Sequence, residues 1–166
     1  MIRVLVLALV LASPLTGNPV WAGTLEGRLV TFTVETWDDR DAPLLVARGR
    51  TVTVGKGVEF GLDREGSTGG LDVVPVDVEI GPTRIELTYH EGIGRFYEST
   101  FNGYVLRFET ECALFENVVV DTAASTMKVT DVWAEVGALY INVSGLGYGP
   151  DSTLALDLEV ADCPLS

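Results

Sequence analysis

The amino-acid sequence predicts an all-β fold, an antiparallel β-sandwich of jelly-roll type with about 8–10 strands and one disulfide. Three observations carry that expectation. Apolar residues recur at every second position in short runs, the mark of strands with one buried face. Glycine and proline punctuate those runs at intervals of about ten residues. No window holds a sustained helical period, and Ala123-Ala124-Ser125 is the one short helix candidate.

From Leu25 to Trp37, Val30, Phe32 and Val34 share one face against Leu29, Thr31, Thr33 and Glu35. Trp37-Asp38-Asp39-Arg40-Asp41-Ala42-Pro43 follows as a charged loop, closed by a proline whose fixed φ suits a turn. Leu44 to Val54 reads as extended, and Gly55-Lys56-Gly57 turns the chain into a short strand at Val58-Glu59-Phe60. Gly61 to Gly70 is polar and glycine-rich, which predicts a mobile loop. Val74, Val76, Val78 and Ile80 alternate, then Gly81-Pro82-Thr83 returns the chain through Ile85, Leu87 and Tyr89 in a hairpin pattern. Pro75 has no amide donor and belongs at an edge, a bulge or a strand start.

Glu91 to Gly103 is irregular and rich in aromatic residues, after which Tyr104, Leu106 and Phe108 share a face opposed by Val105, Arg107 and Glu109. Asn117 to Asp121 and Met127 to Val136 add two more stretches. The longest pattern runs from Leu139 to Val160. Leu139, Ile141 and Val143 form one apolar face, Leu154, Leu156, Leu158 and Val160 another, with Gly149-Pro150-Asp151-Ser152 between them. That spacing predicts a hairpin of two long strands. Leu146 falls out of phase, so Gly145 marks a bulge or the strand end.

Residues 1–22 read as a secretory signal peptide. Arg3 precedes an apolar run from Val4 to Ala12, and Val20-Trp21-Ala22 offers small residues at the cleavage positions. The run is far shorter than the roughly 20 residues a membrane span requires. The expectation is a secreted or periplasmic product, a single domain over residues 23–166, with no membrane span after cleavage. The net charge is −13, and loss of Arg3 leaves 10 basic against 24 acidic groups, or −14. Such a polyanion repels phosphate backbones, so nucleic acid is not an expected partner. Cys112 and Cys163 both lie beyond the signal segment, and an even count in an oxidising compartment predicts a disulfide between them.

Three segments, Thr53-Val54-Gly55-Lys56-Gly57-Val58-Glu59-Phe60, Phe101-Asn102-Gly103-Tyr104 and Asn142-Val143-Ser144-Gly145-Leu146, are turn and strand signatures. Through them the chain resembles a group of secreted bacterial β-sandwich proteins of unassigned function, similar to PEP-CTERM-type exported proteins. The resemblance implies export and a β-sandwich, and it carries over no catalytic residue. The sequence ends at Ser166 without the anchor tail of that group, which favours a free periplasmic or exported protein.

Candidate chemistry is sparse. His90 is the sole histidine and no G-x-S-x-G elbow accompanies it, so it reads as a surface residue. Asp77/Glu79, Glu109/Glu111 and Asp157/Glu159 each share a strand face, at about 7 Å, a separation that overlaps the carboxylate spacing of glycoside hydrolysis. Alternating acids are equally what a solvated sheet face shows. Gly55-Lys56-Gly57 and Gly145-Leu146-Gly147-Tyr148-Gly149 lack phosphate-loop patterns and read as turns, and Asn142-Val143-Ser144 spells a glycosylation sequon inside a strand.

Trp37 beside Asp38, Asp39 and Asp41 is the most suggestive cluster. An indole can stack on a sugar ring while carboxylates accept its hydroxyls or hold Ca²⁺. The sequence therefore predicts an exported, noncatalytic binding or extracellular structural module. Its candidate ligand residues are Trp37, Asp38, Asp39, Tyr97 and Tyr148, and Asp38, Asp39 and Asp41 are candidate Ca²⁺ ligands. A glycan or an extracellular protein is the expected partner. The alternatives are a small glycoside-active hydrolase using paired carboxylates and a matrix component without a small ligand.

Overall fold

The computed structural model describes residues 23–47, 49–62 and 74–165. The expected signal peptide and most of the glycine-rich loop at Gly61 to Gly70 lie outside the described residues; Gly61 itself lies in a strand. Thirteen strands follow one another among the described residues. They are β1 (Leu29–Trp37), β2 (Leu45–Val46), β3 (Arg50–Thr53), β4 (Val58–Leu62), β5 (Val76–Ile80), β6 (Arg84–Thr88) and β7 (Gly94–Arg95), then β8 (Phe101–Phe108), β9 (Phe115–Val120), β10 (Asp131–Glu135), β11 (Ala138–Asn142), β12 (Gly147–Tyr148) and β13 (Thr153–Val160). Ten of them have four residues or more, in line with the strand number that the alternation predicts.

The strands form two antiparallel sheets packed on each other. One has the order β10-β11-β8-β1-β2, with β3 also pairing β1; the other has the order β4-β5-β6-β13-β9. A small ribbon of β7 and β12 lies apart from both. The expected hairpin across Gly81-Pro82-Thr83 is present as β5 against β6, with Ile80 opposite Ile85 and Val78 opposite Leu87. Pro75 stands immediately before β5, where its missing amide interrupts no ladder.

Two sequence expectations are corrected. Leu139 to Val160 is not a hairpin: β11 pairs with β8 and β10 in the first sheet, whereas β13 pairs with β6 and β9 in the second. The turn itself forms, with the Ser152 amide donating to the Gly149 carbonyl at 2.9 Å, but the chain crosses from one layer to the other there. The apolar faces of the two strands thus meet across the core instead of lying side by side. Ala123-Ala124-Ser125 is a turn and not a helix, because Asp121 Oδ1 accepts the amides of Ala123 and Ala124 and holds the chain in a capped bend.

Burial follows the alternation on the inner faces. Val30 and Phe32 of β1, Tyr104, Leu106 and Phe108 of β8, Leu139 and Ile141 of β11, and Leu154, Leu156, Leu158 and Val160 of β13 are all buried in one core. Phe32 stacks between Phe60 of the opposite sheet, at 5.1 Å, and Tyr104, at 5.6 Å, so aromatic packing joins the layers. The outer face of the first sheet departs from the expected polar surface. Phe101, Val105, Ala138 and Tyr140 are buried there in a second cluster, with Trp37 and Trp133 packed against it.

One end of the sandwich is closed by Cys112–Cys163, whose Cα atoms are 6.3 Å apart across a separation of 51 residues. Arg28 reinforces that end by donating to the carbonyls of Thr24, Cys163 and Pro164.

Candidate functional site

At the other end a pocket of about 370 Å³ opens against the inner face of the first sheet. The inner face of the first sheet supplies Val34, Thr36, Asn102 and Tyr104, because even-numbered residues at the end of β1 and the start of β8 point inward. Leu44 and Leu45 form one side of the mouth, and Arg95, Phe96, Tyr97 and Tyr148 the other. Val74, Gly103 and Val143 are the remaining residues of the described lining.

Asn102 organises the floor. It is buried, stands within hydrogen-bond distance of Thr36 Oγ1 through its Oδ1 (3.0 Å), and donates from Nδ2 to the Tyr97 carbonyl at 2.8 Å. Its own amide donates to Asn142 Oδ1. Asn142 Oδ1 also accepts the Ser144 amide, and the Ser144 hydroxyl both accepts the Ser99 amide and donates to the Ser99 carbonyl. The segment that carries Tyr97 is thereby fastened to β8 and β11 by side-chain bonds. The Asn142-Val143-Ser144 spelling works here as a local brace: Asn142 Nδ2 is already committed to the Thr100 carbonyl and to Asp131.

The aromatic wall is equally specific. Tyr148 stacks on Tyr89 at 6.3 Å and packs tilted on Phe96 at 4.9 Å. Its ring lies over Gly94, where a Cβ would come within 2.6 Å of the Tyr148 hydroxyl, so the β7–β12 ribbon needs glycine at that position. Beneath it the Tyr89 and Tyr104 hydroxyls are 3.0 Å apart and buried. Burial pushes both phenols well above the ordinary tyrosine range, so both stay protonated at neutral pH.

The structure brings Tyr97 and Tyr148 together at this pocket and places the Trp37 cluster elsewhere. Trp37 lies on the opposite face of the same sheet, stacked on Phe101 at 4.9 Å, and its Nε1 is buried with no hydrogen-bond partner among the described residues. Asp38 Oδ1 accepts the Thr100 amide and Asp39 Oδ1 accepts the Asp41 amide, so these carboxylates brace their own loop. Arg40 reaches from the loop to Glu135 with two hydrogen bonds and sits over Tyr140, which holds the Glu135 carboxyl below its usual range. Among the described residues no group of three or more His, Cys, Asp and Glu is placed to hold a metal ion.

The paired carboxylates also lie away from the pocket, whose described lining contains no Asp or Glu. Asp77 binds the exposed His90 at 2.8 Å. Asp157 joins Glu86 and Asp121 around Arg84. Sequence reasoning missed Thr36, Arg95, Phe96 and Asn102 as site residues. Asn102 stood in a turn-like segment and Arg95 in an irregular one, and neither position carries a periodic or motif signal. No family model, curated protein or solved structure matches the chain.

Proposed function

We propose that this chain is an exported, noncatalytic binding protein whose ligand occupies the pocket at the open end of the sandwich. The observation that carries the reading is the pocket itself: about 370 Å³, walled mainly by apolar and aromatic side chains, with a few fixed polar groups on its floor. Small-molecule sites have this composition and start at about 300 Å³. Its rim is held by the Asn102, Asn142 and Ser144 bonds, so a ligand meets a preformed surface and little ordering opposes binding. Tyr97, exposed at the mouth, and Tyr148 offer flat faces suited to a carbohydrate ring, which keeps a glycan as the leading ligand class. The lack of carboxylates in the described lining favours binding over two-carboxylate hydrolysis. The signal-peptide pattern and the disulfide support an oxidising location outside the cytoplasm.

The test is a glycan array on the mature protein, run with and without chelator, with hits confirmed by calorimetry on Tyr97→Ala, Tyr148→Ala and Trp37→Ala variants. Binding lost in the two tyrosine variants and kept in Trp37→Ala is the expected result. Loss in Trp37→Ala alone would move the site to the outer face. Silence across the array would remove glycans as the ligand class.

A further inference from the structure

Within the pocket one group is unlike its neighbours. Arg84 binds three carboxylates, Arg40 binds Glu135, Arg107 binds Glu35, and Arg28 binds three backbone carbonyls. Arg95 lines the pocket, and among the described residues its guanidinium makes no ion pair or hydrogen bond. Arg95 is exposed at the mouth, and it is the one charged side chain in the described lining. Glu98 is nearby: one point, where a Cβ on Gly145 would be, lies 3.7 Å from Arg95 Nη2 and 3.8 Å from Glu98 Cγ, yet no ion pair forms between them. Gly145, at φ +65°, keeps side-chain bulk away from that guanidinium.

The floor supplies a second unused donor. Of the two hydroxyls shared by Tyr89 and Tyr104, one donates to the other, and the remaining O–H proton has no acceptor among the described residues. The Tyr89 hydroxyl donates to that of Tyr104, so the remaining proton belongs to Tyr104, a residue of the lining. A guanidinium at the mouth, a spare hydroxyl donor on Tyr104 and the rings of Phe96 and Tyr148, all in one lining, complement one ligand chemistry: a flat ring that bears an anionic acceptor.

We propose that the pocket takes a small ring-bearing monocarboxylate, its carboxylate paired with Arg95 and its ring against Phe96 and Tyr148. The inference rests on the pocket being the ligand site and adds the charge of the ligand. A guanidinium matches a carboxylate through two parallel N–H donors, a geometry that neutral hydroxyls do not satisfy. The chemistry has two sources, an aromatic acid and a uronic acid, and both present a ring with one carboxylate.

Calorimetry on the intact mature protein should compare 2-naphthoic acid with 2-naphthalenemethanol and D-glucuronic acid with D-glucose. The expected result is that one acid binds about tenfold more tightly than its neutral counterpart, and that Arg95→Gln abolishes this preference while Arg95→Lys keeps part of it. A preference in the first pair assigns an aromatic acid, and one in the second pair a uronic acid. Melting curves of the variants, unchanged from the parent, separate loss of the charge from loss of the fold. Neutral compounds that bind as tightly as the acids would overturn the charge assignment and leave the pocket reading intact. Failure of all four probes would overturn the monocarboxylate proposal, with the glycan array still judging the pocket.

Discussion

The two ends of the sandwich are built from the same strands and finished in opposite ways. At the start of β1 and the end of β8, a disulfide, the buried Arg28 and main-chain bonds such as Ala161 amide to Leu114 carbonyl seal the layers over the fully buried Leu25 and Leu114. At the end of β1 and the start of β8, side-chain bonds through Asn102, Asn142 and Ser144 join main-chain bonds such as Phe96 amide to Leu146 carbonyl, no covalent link is present among the described residues, and a hollow remains. Apolar side chains stand in water around that hollow: Leu44 is 60% exposed, Tyr97 65% and nearby Ile93 86%. A covalent link lowers the entropy of the unfolded chain and so stabilises the whole domain from one end. That leaves the other end free to stay incompletely packed, and binding surfaces are drawn from such low-stability regions.

Breaking the closed end should have the largest effect. Replacing both cysteines by alanine should lower stability by about 4 kcal/mol for a 51-residue loop, read by urea unfolding of oxidised parent against variant. A loss under about 1 kcal/mol would mean that main-chain bonds alone hold that end. Arg28→Met tests those bonds separately. It strands three carbonyls and should cost about 2 kcal/mol.

High pH should strike the open end. Burial keeps Tyr89 and Tyr104 protonated in the native state, whereas the unfolded chain releases their protons from about pH 10 upward. Stability is therefore whole below that pH and lost above it, by about 2 kcal/mol between about pH 10 and 11 for the two phenols. The part of the tyrosinate absorbance that belongs to Tyr89 and Tyr104, taken as the difference from a variant carrying Tyr89→Phe and Tyr104→Phe, should appear together with unfolding and not before it. Asn102→Ala should cost about 1.5 kcal/mol by freeing the Tyr97 segment, visible as faster amide exchange at residues 97–100 and weaker ligand binding. Tyr97→Ala, at an exposed side chain, should change stability by less than about 0.5 kcal/mol while removing ligand affinity. If Asn102→Ala left exchange at the rim unchanged, the contrast between a welded end and a braced end would fail.

Alternation made the inner faces legible: Leu139, Ile141 and Val143, like Leu154, Leu156 and Leu158, are buried where period two places them. The disulfide was legible by count, and Pro75 and Gly145 by backbone chemistry. The outer aromatic cluster was not. Trp37, Phe101, Trp133 and Tyr140 come from four strands, and nothing in any one strand says that its second face will also be covered. The site was half legible: Tyr97 and Tyr148 drew notice as aromatics, while Thr36, Arg95 and Asn102 looked like ordinary strand and loop residues.

The sequence by itself determined that this is a strand protein, which side of most strands is apolar, and which two sulfurs join. Those are properties of neighbours along the chain and of a count of two cysteines. Tertiary structure alone decided that β11 and β13 belong to different layers, that the indole cluster faces away from the pocket, and that Arg95 stands in the pocket lining. Sheet membership and unfilled volume depend on how surfaces far apart in sequence fit against each other. A period of two is identical for a strand that pairs with its predecessor and for one that crosses the core to face it.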